Sequence, residues 1–226
     1  MRTARTIFLL CSVKLELRNH IFELNGLAAM YWPVLETLIV SDVHLGKATH
    51  FRKMGYHIPS QVGSLNIANL ELLFRTYQPK QVVFLGDLFH SDYNSEWDVF
   101  GHFLKQHPHI AFVLIEGNHD ILDPSKYEEF KIELKPHWIE EGFAFTHIPI
   151  ENNKTDYYNI AGHIHPGIKL RGQAKQRAIL PCFWFGEKQG ILPAFGDLTG
   201  LHPIQPKKND QVIGLAEGQL VKLSGV

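Results

Sequence analysis

Five apolar runs in this chain give way, at their ends, to Asp, Asn or His: Val40-Ser41-Asp42-Val43-His44, Leu85-Gly86-Asp87, Ile115-Glu116-Gly117-Asn118-His119-Asp120, Phe145-Thr146-His147 and Ala161-Gly162-His163-Ile164-His165. These residue types suit a pair of divalent metals. Imidazole with carboxylate favours Mn, Fe, Zn or Co over the purely oxygen-seeking Ca or Mg, and no thiolate belongs to the set. Asp42 and His44, like His163 and His165, stand two apart, so an extended backbone places both members of each pair on one face. Gly86, Gly117 and Gly162, each directly before one of these side chains, let the chain come close to an ion. Two divalent ions outweigh the negative charges of Asp42 and Asp87, which leaves a positive pocket that attracts phosphate. The 14 histidines, against 7 tyrosines, give this chemistry its raw material.

Side chains so far apart in sequence meet only if a fold gathers the strand ends. Leu38-Ile39-Val40, Val82 to Leu85 and Ile110 to Ile115 are short apolar runs of the kind that form buried strands, and between them lie helical patterns. Ser60 to Gln78 carries Ile67, Leu70, Phe74 and Tyr77 on one stripe and Val62, Leu65, Leu72 and Leu73 on another, with Pro79 as its stop. Ser95 to Gln106 repeats the pattern with Trp97, Phe100 and Leu104. Such alternation predicts right-handed crossovers and parallel strands, whose carboxyl ends are where open α/β sheets bind ligands.

Ahead of this body, Val13 to Leu17 and Ile21 to Leu24 alternate, and Asn25-Gly26 before Leu27 to Met30 reads as a hairpin turn. After Pro136 come short strands: Trp138 to Glu141, Phe143 to Thr146, Tyr158 to Ala161, Ala178 to Phe185 and Gly190 to Leu192. A hairpin of Val212 to Leu215 and Leu220 to Leu223 about Gly218 follows. The expectation is one α/β domain over 1–226, a sandwich of two facing mixed sheets flanked by helices, with a strand and hairpin extension over about 1–34.

Hydrophobic residues at 45% and charged residues at 20% exclude disordered, collagenous and coiled-coil classes. With Lys+Arg 22 against Asp+Glu 23, a generally basic nucleic-acid binder is excluded and any polyanion must be gripped locally. Cys11 and Cys182 are far apart, so neither a disulfide framework nor a zinc knuckle is expected, and a reducing, cytoplasmic setting fits. Arg2 and Arg5 before Ile7 to Cys11 mimic a short signal peptide, but no small-residue cleavage site follows, and a first strand or ragged start is the preferred reading. No apolar run reaches the roughly 20 residues needed to cross a bilayer, so no membrane partner is expected. Exposed edges on the C-terminal strands allow self-association without fixing an oligomeric state.

Taken together, Asp42-x-His44, Gly86-Asp87, Gly117-Asn118-His119-Asp120, Thr146-His147 and Gly162-His163-x-His165 resemble the motif set of the calcineurin-like metallophosphoesterases. The resemblance implies a four-layer αββα sandwich with a binuclear site. One metal would take Asp42, His44, Asp87 and His165, the other Asp87, Asn118, His147 and His163, with Asp87 bridging. A narrower set comprises Tyr31-Trp32-Pro33, Ser41 to Ala48 with Phe51-Arg52-x-x-Gly55, Gly86 to Ser91, and Leu192-Pro193-Ala194-Phe195-Gly196-x-x-Thr199-Gly200. It is similar to the ligase-associated DNA-damage-response metallophosphoesterases, often described as endonucleases. That similarity implies DNA as substrate, Mn as the foremost metal, and work alongside an ATP-dependent DNA ligase and a helicase.

In such a two-metal scheme, ions roughly 3.5 to 4 Å apart hold a bridging hydroxide that attacks phosphorus in line. His119 is then the candidate to bind a phosphoryl oxygen and protonate the leaving oxygen, with Asp120 orienting its ring; the plainer alternative is a surface salt bridge. His90 points to the same rim, either toward substrate or as part of a turn. Lys47 and Arg52 after the first motif, and Lys169, Arg171, Lys175 and Arg177 after the last, either follow a phosphate track or form a solvated surface. Tyr31-Trp32 and Phe183-Trp184-Phe185 either stack bases or pack the core. Two other classes stay open: a phosphatase or phosphodiesterase for a small molecule such as a nucleotide, and a non-catalytic protein-binding scaffold.

Overall fold

A computed structural model describes residues 11–57, 62–90, 92–171 and 177–223. The first sheet has seven strands in sequential order: β1 (Ser12–Leu17), β2 (His20–Asn25), β3 (Ala29–Trp32), β4 (Thr37–Val40), β5 (Gln81–Phe84), β6 (Ala111–Ile115) and β7 (Ile132–Lys135). β1 to β4 pair antiparallel as a meander, and β4 to β7 pair parallel. Helices α1 (Lys47–Lys53), α2 (Val62–Tyr77), α3 (Ser95–Lys105) and α4 (Pro124–Glu129) lie in the connections between the parallel strands. Because those strands advance in one direction, right-handed crossovers put their connecting helices on one face. The other face is left for a second sheet.

Side chains on the central strands sort accordingly. Leu38, Val40, Val82, Phe84, Phe112 and Leu114 pack against Leu70, Leu73 and Phe74 of α2 and Trp97, Phe100 and Leu104 of α3. Ile39, Val83, Leu85, Val113 and Ile115 face Phe143, Phe145, Ile160, Phe183 and Phe185 of the second sheet. Being buried on both faces is why these strands read as unbroken apolar runs rather than alternating ones. In the inter-sheet core the Trp32, Phe22, Phe143 and Phe145 rings pack with centroids 4.8–6.3 Å apart. Each such ring contributes about 2–3 kcal/mol by its burial.

The second sheet holds β8 (Trp138–Glu140), β9 (Phe143–Thr146), β10 (Tyr158–Ala161), β11 (Pro166–Arg171), β12 (Arg177–Phe185), β13 (Gln189–Ile191), β14 (His202–Pro203), β15 (Gln211–Ala216) and β16 (Gln219–Leu223). Its order is β14-β11-β12-β13-β10-β9-β8, with β15 and β16 branching from β12. Two facing mixed sheets with helices are thus the architecture. Every α-helix among the described residues lies within 47–129, so none covers the outer face of the second sheet. The long connection 192–210 contains Pro193, Pro203 and Pro206 with Gly196 and Gly200, a spacing that forbids a helix of useful length. A small cluster of Ile168, Cys182 and Val212 with Trp184, Ile204 and Leu223 takes that place.

Local chemistry sets several boundaries. The Asn94 side chain accepts from the Glu96 N–H at 3.0 Å and starts α3, and Asp123 does the same for α4 through Ser125. Asn25-Gly26 does turn the chain, through a three-residue loop in which Asn25 Oδ1 accepts from Leu27 N at 2.8 Å and Ala28 takes φ +59°. Arg18 and Asn19 form a two-residue turn with both φ positive, at +49° and +67°. The suspected start at Ile7 to Cys11 and the first residues of the Ser60 helix fall outside the described residues, except Cys11 itself.

Candidate metal centre

The site forms where β4, β5, β6, β9 and β10 run out. The segments following β4 and β5 zip together: Leu85 N donates to Val40 O, His44 N to Asp87 O at 2.9 Å, Leu45 N to Leu88 O at 2.9 Å, and His90 N to Leu45 O at 2.7 Å. Phe195 and Gly196 donate to the carbonyls of Ser41 and Asp42, which clamps the Leu192 to Gly200 motif onto the first one.

The two-apart pairs do not use extended backbone, as their spacing suggested. Asp42, His44, Asp87, His163 and His165 take φ of +54°, +50°, +51°, +66° and +50°. Left-handed backbone is costly for side-chain-bearing residues, and its concentration at one place marks a functional constraint. Glycine then supplies room. At Gly86, with φ +77°, a Cβ would stand 2.2 Å from His147 Nδ1, and at Gly162 one would stand 1.7 Å from Ser41 Oγ.

Two groups of side chains result, each with its ligand atoms within 4.8 Å of one another: Asp42, His44 and His165; and Asp87, His147 and His163. In the first, His165 Nε2 is 3.2 Å from Asp42 Oδ1. In the second, His147 Nε2 is 3.4 Å from Asp87 Oδ1 and 3.2 Å from His163 Nδ1. Asn118 Oδ1 lies 3.0 Å from the same His147 nitrogen, which brings the expected fourth ligand to this group. Asp87 faces both, since its Oδ2 is 3.8 Å from His44 Nε2. All seven residues expected to ligate metals are therefore gathered.

The donor set fits cations. His147 Nδ1 donates to Leu85 O at 2.8 Å, which fixes the tautomer and leaves Nε2 as a lone pair aimed at Asp87, Asn118 and His163. Both ring nitrogens of His44 and Nε2 of His165 are buried without a well-aligned hydrogen-bond partner. Such atoms are expensive to bury unless something binds them. Burial and the neighbouring Lys47 push the His44 imidazole down to about 2, so it is neutral and ready to coordinate. Burial also lowers His163. Burial opposes the charge of Asp42, but His165 and the Ser41 hydroxyl hold its carboxyl below the usual range.

At the mouth, the His119 ring lies 5.5 Å from that of His44 and 4.6 Å from that of His90, and its backbone N donates to Asp87 Oδ1 at 2.9 Å. Asp120 does not orient that ring, contrary to expectation. Its Oδ2 accepts from Asp87 N at 2.7 Å and Gly117 N at 2.9 Å, and its Oδ1 from Phe89 N at 3.2 Å, so it pins the Asp87 loop. Burial pushes it up to about 6 against the pull of those N–H groups.

His90 is brought in, with a buried Nδ1 and burial lowering it to about 4. Lys47 is half-buried at the start of α1, its charge disfavoured by burial and favoured by Asp87 and Asp42. Arg52 is turned elsewhere: its Nη2 donates to Thr49 Oγ1 at 2.6 Å and lies 3.5 Å from Glu96 Oε1. Lys169 is exposed; Lys175 and the side chains of Arg171 and Arg177 fall outside the described residues. Trp32, Phe183 and Phe185 are core, and Tyr31 stacks on Tyr77, whereas Trp184 points away from the inter-sheet core.

Sequence reasoning missed the supports. Glu96 Oε2 accepts from Gly46 N at 3.0 Å and its other oxygen binds Thr49, tying α1 to α3. Asn66, buried on α2, donates to Val43 O at 3.0 Å inside the first motif. A polar residue within an apolar helix face was the available sign.

A family model, calcineurin-like phosphoesterase, matches residues 35–197. The crystal structure of Pseudomonas putida nuclease MPE is similar, with a TM-score of 0.79 and 29% identity, over 94% of this chain and 100% of that one. Yfce, a phosphoesterase from E. coli, has a TM-score of 0.44 at 15% identity, over 83% and 98%. No curated protein matches. Two candidate metal-binding groups thus sit at the strand ends of a chain whose family spans most of its length, and no helix among the described residues is long and apolar enough to cross a membrane. The chain belongs to the calcineurin-like phosphoesterases, metal-dependent hydrolases of phosphoric esters.

Proposed function

We propose that this protein is a binuclear phosphodiesterase that cleaves DNA, an endonuclease of the ligase-associated damage-response kind, acting as one domain. The observation that carries this is Asp87, whose Oδ1 faces His147 of its own three-residue group while its Oδ2 faces His44 of the other. The similarity to a nuclease over 94% of the chain supports the choice of substrate.

Asp42, His44, Asp87 and His165 would hold one ion, and Asp87, Asn118, His147 and His163 the other, with Mn foremost among the ions that suit imidazole and carboxylate. When bound, such a pair supplies Lewis-acid stabilisation of phosphoryl charge and an acidified water. The chain does the rest. His147, its Nδ1 proton held on Leu85 O, presents Nε2 without rearrangement. Asp120 fixes the Asp87 backbone so that its carboxylate divides between the two groups. His119, at the mouth, gives a ring-nitrogen proton to the leaving oxygen, and Lys47 and His90 contact the phosphate from the α1 side. Work beside an ATP-dependent DNA ligase and a helicase, in a reducing cytoplasm, completes the proposal; Cys11 and Cys182 are both free thiols.

A second reading, a phosphodiesterase for a small molecule, is favoured by one observation. Arg52 is engaged by Thr49 and Glu96, which weakens the phosphate track expected beside the first motif. Hydrolysis of a small phosphodiester, a phosphomonoester and a labelled single-stranded oligonucleotide, with Mn and after chelation, separates the readings. Chelator-sensitive cleavage of the oligonucleotide and the diester supports the nuclease. Turnover of small esters alone replaces it with the second reading, and metal binding without turnover leaves only a scaffold.

A further inference from the structure

A cavity of about 640 Å³ opens away from the metal centre, and none of the residues that ligate or flank the two groups lines it. Its walls come from three connections of the second sheet: Ile150 to Asn153 between β9 and β10, Gly186 to Gln189 between β12 and β13, and Lys207 to Gln211 before β15. This is the region of the sandwich that no helix covers.

Trp184 provides its aromatic surface. Phe183 and Phe185 alternate inward, so Trp184 projects to the other side of β12. Its Nε1 donates to Asp210 Oδ2 at 2.7 Å, and the same oxygen accepts from Lys207 N at 2.8 Å, which fixes the ring and the following turn together. Around it stand the exposed Lys188, Lys207 and Lys208. Asp210, the acid beside the indole, accepts both bonds, and with Glu187 it sets two acids against the three lysines of the lining. An indole held still amid cations suits a ligand that has both a flat π-face and negative charge, which a nucleotide combines. The asymmetry of the whole chain agrees: residues 148–226 carry nine Lys and Arg against six Asp and Glu, while residues 1–147 carry thirteen against seventeen.

The path to the metal centre is short. The segment 147–153 begins at His147 in the second ligand group and ends on the cavity wall. Asn159 holds it to β10, accepting from Ile150 N at 2.9 Å and donating to Thr146 Oγ1 at 2.9 Å. His163 follows Asn159 by four positions, which spans at most about 13 Å of chain. We propose that this cavity binds a nucleotide of a nucleic-acid strand whose scissile phosphate lies at the metal centre. It is a second grip on the substrate, sequence-tolerant because it uses stacking and phosphate charge. The inference rests on the nuclease reading for its substrate class but makes a separate claim about where that substrate is held.

The test compares wild type with Trp184→Phe and with the double variant Lys207→Ala/Lys208→Ala, none of which touches the catalytic machinery. Tryptophan fluorescence is titrated with a twelve-nucleotide single strand, a nucleoside monophosphate and an acidic peptide. Cleavage of the same strand, of a dinucleotide and of bis-p-nitrophenyl phosphate is measured with Mn. The expected result is quenching by the strand that Trp184→Phe abolishes, and a roughly tenfold higher KM for the strand in the lysine variant with the two small diesters unchanged. The log-log salt dependence of strand binding should also become shallower by about 1.4. Unchanged strand KM in both variants overturns the proposal, as does an equal loss on all three substrates. Saturation of the quench by the monophosphate as tightly as by the strand, or by the peptide, overturns it in favour of a mononucleotide or protein site. Strand quenching at Trp184 without strand cleavage leaves the cavity assignment standing and overturns the nuclease reading instead; strand cleavage without quenching does the reverse.

Discussion

The two ligand groups are built alike, each with two buried members and one half-buried, and differ in the fourth residue beside them. Asp42 and His44, 0% and 5% exposed, stand with the half-buried His165 beside the buried Asp87, whereas the buried Asp87 and His147 and the half-buried His163 stand beside an exposed Asn118. The first is enclosed by α1 and by the 192–200 segment clamped on Ser41 and Asp42; the second opens beside the Gly117 to Asp120 turn. Closure favours retention and openness favours exchange with substrate. On the proposed binuclear reading, the enclosed group would keep its ion and the open one would admit the reacting phosphate.

Breaking the shared carboxylate should erase the contrast. Asp87→Asn is expected to lower kcat/KM on a small diester by more than about 1000-fold, about 4 kcal/mol of barrier, and elemental analysis should find both groups depleted of metal. The contrast sharpens with His119→Ala, because His119 lies over the His44 side. A loss of about 100-fold is expected for an alkyl leaving group and only a few-fold for p-nitrophenolate, which needs no proton; equal losses would assign His119 to binding alone. Gly86→Ala strikes the second group first. Its Cβ would stand 2.2 Å from His147 Nδ1 and displace that ring, so metal content should fall toward one ion per chain, with roughly 1–3 kcal/mol less stability in denaturant titration. The smallest effect is expected from Asp120→Asn, about tenfold in affinity for the second ion with the first unchanged, since it loosens the Asp87 loop without removing a ligand.

Much of this was legible in the sequence because each ligand follows an apolar run. Leu38 to Val40, Val82 to Leu85 and Ile110 to Ile115 declare strands buried on both faces, and the type of residue that ends each run declares the chemistry. α2 and α3 were readable from their apolar stripes. The left-handed backbone at Asp42, His44, Asp87, His163 and His165 was not, because tertiary hydrogen bonds such as His44 N to Asp87 O impose it against local preference. β7, β11 and β14 escaped for a related reason: Ile132 to Lys135 and the two-residue His202–Pro203 are too short to show a period, and pairing alone makes them strands. The role of Asp120 was misread from adjacency, since neighbours in sequence at a tight turn point apart. Arg52, taken as a phosphate contact, answers to Glu96, fifty residues after Gly46 and invisible from either segment alone.

The five left-handed ligands have a thermal consequence. Each non-glycine residue held there costs roughly 1 kcal/mol relative to its preferred backbone, and the cost is carried whether or not an ion is present. Without cations the centre is a sprung frame whose like lone pairs face one another. Ions that bind the folded arrangement more tightly than the unfolded chain would add stability in proportion to the logarithm of their free concentration. Melting temperature therefore becomes a gauge of occupancy: titrating Mn into chelated protein should raise Tm, with a break where the enclosed group fills and a second, shallower rise as the open one follows.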